Sequence, residues 1–340
     1  MAGALDHQAG IVAEATYGTP LTPTAFVEFD FDKSSHHWDP KIMVGTGMQP
    51  GDGGFERADR SVAVLGQGNG TLALDYQTRG MGKLVDGVCG TGVSTLVGGS
   101  TYQQLFTSAL TGALLPARTL EYGIVRTDAA GTLDGYRYGG VTFPKLTISN
   151  DAGDIVRAAL DWDARSQTLG TAATASYPVL TTPFHYGQAV VTVGGSVVVP
   201  TTIALATGGT VATNVQSIEC TIDNQADLDD WALGGVRNQP RIGKRAGSIK
   251  MVARYDAAVY DAALTGHTTL PVTITWTKTD EALSTGFATL QLVFPACKLQ
   301  ANDRPGPSFK SPTIPLDLNF YKPATGNAFY IVHRTADTAL

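Results

Sequence analysis

The feature that most constrains this 340-residue chain is that its second half repeats the pattern of its first. Self-similarity in fixed order takes precedence over single motifs, because a chain written twice folds as two copies of one unit. Five matches occur in the same order. Val27-Glu28-Phe29-Asp30-Phe31-Asp32 corresponds to Ile218-Glu219-Cys220-Thr221-Ile222-Asp223, and Gly70-Thr71-Leu72-Ala73-Leu74 to Gly247-Ser248-Ile249-Lys250-Met251. Met81–Gly90, helical by the spacing of Met81, Leu84, Val85 and Val88, corresponds to Ala257–Gly266. Phe143-Pro144-Lys145-Leu146 returns as Phe294-Pro295-Ala296-Cys297-Lys298-Leu299, and Leu160-Asp161-Trp162-Asp163 as Leu316-Asp317-Leu318-Asn319. The first copy is longer, which an extra segment near residues 91–116 explains. Tyr102–Thr111 within it reads as a helix.

The repeated unit is mainly β. Hydrophobic residues make up 43% and charged residues 16%, which excludes a disordered chain and a long coiled coil. Ala25–Asp32 alternates with period two, as do Gly70–Tyr76 and Val156–Asp163; Leu120–Thr127 and Gly135–Asn150 are further strand segments. Residues 33–61 are rich in glycine and read as a long loop or protruding hairpin. The expected organisation is an arm over 1–23, a first module over 24–165, a linker over 166–210, a second module over 211–325 and a tail over 326–340. In the linker, Ala189–Val193, Gly194-Gly195 and Val197–Val199 predict a hairpin.

A net charge of −6 makes the chain a poor candidate for gripping nucleic acid, since phosphate contacts need Lys and Arg. Cys89, Cys220 and Cys297 are widely spaced and form no CxxC, which argues against a disulfide framework or a zinc site. No signal peptide and no membrane span are expected. Gly66-Gln67-Gly68-Asn69-Gly70 lacks the strand before and helix after that a dinucleotide loop needs, and reads as a turn. His36-His37 point to opposite sides of an extended segment and chelate poorly as a pair. Asp223–Asp230 is acidic without the spacing of a calcium loop. Asp161 and Asp163 share a strand face, the pairing that glycoside hydrolysis uses, but Trp162 points the other way and no catalytic signature occurs. No cofactor, metal or enzymatic activity is expected.

The carboxylates matter collectively. Glu28, Asp30 and Asp32 share one predicted strand face, as do Glu219 and Asp223; Asp161 and Asp163 share another, and Asp317 is expected to repeat Asp161. A solvated sheet face accounts for this. A common acidic lining accounts for it more sharply.

With the arm Glu14-Ala15-Thr16-Tyr17-Gly18-Thr19-Pro20 followed by Phe26–Asp32, and with Ser217–Gln225 leading into a long polar loop, the chain resembles the siphophage tail tube (major tail) proteins over about residues 10–325. The resemblance implies two tandem tube domains, each a β-sandwich with a short flanking helix and a long inter-ring loop. It implies a structural virion protein, assembled in the host cytoplasm, whose rings stack into a tube that conducts DNA without binding it. A duplicated domain implies homotrimeric rings with pseudo-sixfold symmetry; hexameric rings are the alternative. Tape measure, distal tail and terminator proteins are the partners implied. The eight carboxylates named above are then expected to line the lumen, and Arg237, Arg241, Lys244 and Arg245 to meet acids of the next ring. Another β-rich virion component, such as a decoration or baseplate protein, is the competing reading, followed by a carbohydrate-active β-sandwich enzyme.

Overall fold

A computed structural model describes residues 7–30, 32–46, 58–108, 112–126, 132–178, 181–212, 215–254, 263–302 and 313–340. In chain order the strands are β1 (Gln8–Ala13), β2 (Ala25–Val27), β3 (Ser35–Val44), β4 (Ser61–Asp75), β5 (Val93–Gly98), β6 (Thr101–Thr107) and β7 (Arg118–Val125). They continue as β8 (Leu133–Asp151), β9 (Arg157–Ala164), β10 (Ser166–Thr171), β11 (Ala189–Val193), β12 (Val197–Val198), β13 (Thr207–Gly208) and β14 (Val215–Asp223). The last seven are β15 (Trp231–Ala232), β16 (Val236–Arg237), β17 (Ala246–Arg254), β18 (Leu270–Ala282), β19 (Phe287–Asn302), β20 (Thr313–Phe320) and β21 (Tyr330–Thr335). An α-helix, α1 (Gly82–Cys89), lies against β8 and ends on Gly90 in the left-handed conformation.

The protein is mainly β and its strand pairs are antiparallel. Two long strands, β8 and β19, organise it. The first part of β8 lies between β7 and β10, with β1 beyond β7. Its second part lies beside β9, followed by β4 and β3. The first part of β19 lies between β18 and β21, with β11 beyond β18; its second part lies beside β20, followed by β17 and β14. The orders β1-β7-β8-β10 and β3-β4-β9-β8 thus recur as β11-β18-β19-β21 and β14-β17-β20-β19. Apolar residues at alternate positions fill the space between the arrays. Trp162 of β9 meets Tyr138 of β8 at 4.8 Å between ring centroids and Tyr122 of β7 at 6.2 Å. Phe294 of β19 meets Phe320 of β20 at 4.7 Å.

Two glycines show how closely the repeated strands match. Gly70 is opposite Trp162, and a Cβ there would come within 2.8 Å of the indole and 2.0 Å of the Ser35 carbonyl oxygen. In the second half the ring of Phe320 lies over Gly247, 1.8 Å from where a Cβ would stand. Each aromatic needs a neighbour without a side chain to reach across the sheet. This pairs Trp162 with Phe320, so Asp161 corresponds to Asn319 and Asp317 to Ala159. The expected match of Asp317 to Asp161 is two residues out of step, which preserves alternation and so leaves no trace in the hydrophobic pattern.

Several other expectations are corrected. Gln8–Ala13 is a core strand rather than an arm, with Ala9 and Ile11 buried. Tyr102–Thr107 is strand β6, paired with β5 and β21, because Tyr102, Gln104 and Phe106 alternate with Gln103 and Leu105 across two partners; residues 109–111 lie outside the described residues. Ala189–Val193 and Val197–Val198 do not pair with each other. The turn at Gly194 and Gly195, both at positive φ, sends β11 to β18 and β12 to β13. Tyr330–Thr335 is an inner strand, not a tail. The Gly66–Gly70 segment lies within β4, where Trp38 packs over Gly66. Of the second predicted helix, residues 257–262 lie outside the described residues, and residues 263–265 are helical.

His333 of β21 is fully buried beside Tyr76 and Phe184, with the Thr78 backbone only partly offsetting the effect of burial. Burial holds its pKa down at about 4. The unfolded chain therefore takes up a proton near pH 6.5 that the folded chain refuses, so stability is full above that pH and falls as pH drops towards 4. The expected loss is roughly 3 kcal/mol, and His333→Leu should flatten the pH dependence of the urea midpoint over that window. Gly247→Ala should cost about 1–3 kcal/mol through the clash with Phe320, whereas Gly170→Ala, with nothing within 4 Å, should stay within about 0.5 kcal/mol in the same titration.

Candidate functional site

The most extended functional surface is a single polar wall. β8 and β14 pair over seven residues, from Lys145 opposite Asp223 to Asp151 opposite Ser217. This seam joins the two repeated arrays into one run, β3-β4-β9-β8-β14-β17-β20-β19. One face packs on the core through Leu72, Leu160, Leu146, Ile222, Ile249 and Leu318, all buried. The other face carries small and charged side chains in rows.

One row crosses six strands as Asp75, Arg157, Ser149, Glu219, Lys250 and Asp317. The next reads Ala73, Ala159, Thr147, Thr221, Ser248, Asn319 and Lys298. A third reads Ser35, Thr71, Asp161, Lys145 and Asp223. Cations are interleaved with carboxylates and engaged by them. Lys145 Nζ lies 3.5 Å from Asp161, Lys250 Nζ 3.5 Å from Glu219, and Arg157 contacts Asp154 at 3.2 Å and Asp75 at 4.0 Å. Exposed pairs of this kind add little stability. Their chemical effect is to give each of these bases an anionic neighbour already.

Residues 4–320 match the family described as phage tail tube protein. The chain belongs to that family. It is a structural component of a phage tail tube. A search of curated proteins gives no match. Among the described residues no helix is long and apolar enough to cross a membrane, and no three His, Cys, Asp or Glu side chains gather as a metal site.

The sequence-predicted site residues of this tail tube protein divide into four groups, the last being Arg241, Lys244 and Arg245 of the long loop. Asp161, Glu219, Asp223 and Asp317 lie on the wall. Glu28, Asp30 and Asp32 do not share a strand face, because β2 ends at Val27. Asp30 accepts hydrogen bonds from the backbone N–H of Asp32 (3.1 Å) and Lys33 (3.3 Å), a side-chain turn that competes with strand pairing. Glu28 accepts one from Gln77 Nε2 at 2.7 Å. By register the neighbour of β4 that corresponds to β14 is β3. Ser35, His36 and His37 face Thr71, Gly70 and Asn69 as Thr221, Ile222 and Asp223 face Ser248, Gly247 and Ala246.

The third group is a buried pair. Asp163 and Arg237, expected in the lumen and in an inter-ring loop, are both buried and form an ion pair with each other. Arg237 Nη1 also donates to the Ala164 carbonyl at 3.0 Å and Nε to Leu228 at 2.8 Å, and the guanidinium lies 5.5 Å from the Trp231 ring centroid. Gln67 Nε2 donates to Asp163 at 2.7 Å. Burial pushes the Asp163 carboxyl up while Arg237 pulls it back. Both side chains are thus committed inside the fold, where they fasten the long loop between β14 and β17 onto β9.

The rest of that loop follows the same course. Gln239 Nε2 donates to Leu115 O at 2.6 Å, and Arg241 Nη1 donates to Gly112 O at 3.4 Å. Arg245 Nε donates to Asn224 Oδ1 at 2.6 Å, and Asn224 Nδ2 to Val88 O at the end of α1. Arg241 and Lys244 stay exposed. The loop's tip, between β15 and β16, holds Leu233 fully in solvent.

Sequence reasoning missed the basic members of the wall. Lys250 sits between Ile249 and Met251, both buried, so period two alone put it outward. Lys145 was visible only as a landmark residue. Removing one partner of a buried ion pair typically costs about 3–5 kcal/mol. Asp163→Ala should lower the urea-unfolding free energy by that amount, and Asp161→Ala by less than about 1 kcal/mol.

Proposed function

We propose that the chain builds the stacked rings of a phage tail tube, with the eight-stranded polar wall lining the bore through which DNA passes. The observation that carries this reading is the seam between β8 and β14, which turns two like-ordered arrays into one continuous sheet. A sheet with a packed face and a polar face, extended edge to edge, curves and closes. Two sister modules, centred on residues 24–165 and 211–325 and each completed by its first strand, β1 or β11, give a ring of three chains with pseudo-sixfold symmetry. A head-to-tail contact that closes makes a ring, and the same contact surfaces repeated along the axis make a tube.

The charge pattern suits a conduit. Free lysine or arginine on the wall would hold phosphates and release counterions, the source of salt-dependent DNA affinity. Here Asp161, Glu219 and Asp75 occupy Lys145, Lys250 and Arg157, while Asp223 and Asp317 add negative potential over a screening length of about 8 Å. The lining proposed is therefore acidic in balance, five carboxylates to four bases along the three rows, with three of the bases paired to carboxylates and Lys298 paired with none among the described residues, a surface that duplex DNA slides past. Arg241, Lys244 and the Leu233 tip are the parts of the second long loop left to meet an adjacent ring. The role is structural rather than enzymatic, in the virion tail.

Negative-stain images of the concentrated protein test the reading. Annuli with threefold-related chains, stacking into open-ended tubes, are expected. Six chains per annulus would remove the duplicated-module account, and absence of any annulus under assembling conditions would remove the conduit.

A further inference from the structure

We infer that the open edge of β19 at Lys298 receives the open edge of β3 at His37 of a second copy, these two residues taking the register that Lys145 and Asp223 use within the chain. The inference rests on the ring reading and adds the identity and pairing of the strands at the joint between chains.

The chain itself supplies the template. β8 carries β9 on one side of its second part and β14 on the other. β19 carries β20 on the corresponding side. On its other side β18 reaches only to Leu270 opposite Cys297, so Lys298 onward meets no strand among the described residues. β3 is likewise paired on one side only, with β4. These two edges are the sites that β8 and β14 fill for each other at the seam. An unpaired edge of this kind presents backbone donors and acceptors that seek a partner.

Register follows from position. Lys298 lies opposite Asn319 as Lys145 lies opposite Asp161, so Lys298 takes the place of Lys145. His37 lies opposite Asn69 as Asp223 lies opposite Ala246, so His37 takes the place of Asp223. Lys145 faces Asp223 directly; Lys298 of one copy therefore faces His37 of the next, and the bulge at Gln300 ends the shared register there. Both His37 and Lys298 are exposed in the single chain. A second observation agrees. At the internal seam the Asn224 N–H donates to Pro144 O at 2.8 Å. Beside Lys298, which takes the place of Lys145, there is instead an open groove of about 640 Å³ lined by Thr269, Pro295, Lys298, Tyr321 and Lys322. The corresponding place beside Pro144 is filled by the chain itself.

The test is a disulfide across the joint. His37→Cys and Lys298→Cys are introduced together, the protein is assembled, and mild oxidant is added before non-reducing denaturing electrophoresis. Cys89, Cys220 and Cys297 are buried, and burial raises their thiols, Cys89 to about 12, so the wild type serves as the unlinked control. The expected result is linkage of most chains into species of two and three chains, with no longer ladder. A mixture of the two single variants should give linked dimers only, which guards against a folding defect in the double variant. Annuli that form normally but yield no linked chains, or that link only when Lys33→Cys replaces His37→Cys, overturn the inference and leave the ring reading standing. Wild-type protein that forms no annuli overturns the ring reading and this register with it.

Discussion

An antiparallel sheet cannot end on an exposed row of backbone N–H and C=O groups without cost or consequence. That constraint shapes this molecule. Within the chain it is met at the β8–β14 seam, where seven residue pairs make one sheet of two repeated arrays. The paired strands must be flat enough to lie side by side, which Gly70 and Gly247 permit by letting Trp162 and Phe320 cross over them. Beyond the seam the same constraint is left open at β3 and β19, and the proposed ring is the arrangement that answers it.

The wall that results has two faces with different chemistry because strand side chains alternate. The packed face holds the two halves rigid through a core that runs across the seam without a break. Along the three rows the polar face is built from threonine, serine, alanine and charges mostly in pairs, with no large apolar side chain and few uncommitted cations. The proposed conduit needs both properties at once. The buried Asp163–Arg237 pair serves the first. It ties the loop after β14 to β9, fixing the second half's loop on the first half's sheet.

Much of the fold was legible from period-two patterning. β7, β8, β9, β14, α1 and the part of β4 from Gly70 onward lie where alternation and helical spacing put them, since those segments bury one face. The repeat was legible as an order of landmarks but not in register, because a slip of two residues keeps every apolar side chain inward; only the Gly70–Trp162 and Gly247–Phe320 crossings fix it. The segment after Val27 looked like a strand because Phe29 and Phe31 alternate with acids, yet Asp30 takes local backbone N–H groups and turns the chain. β6 and β21 were hidden because each is an inner strand, β6 between its hairpin partner β5 and the distant β21, and β21 between β6 and β19. For the candidate site, Asp161, Glu219, Asp223 and Asp317 were readable as outward carboxylates. Asp163 was not readable as buried, since the arginine that covers it comes from a loop 74 positions later in sequence numbering.

The most direct measurement is a cryo-EM reconstruction of the assembled tube at side-chain resolution. The account predicts a continuous inner sheet in which Lys145, Asp161, Glu219 and Lys250 point into the bore, with the carboxylates against the amines. A reconstruction that puts those four side chains on the tube's outer surface, or that breaks the sheet at every chain boundary, would contradict it.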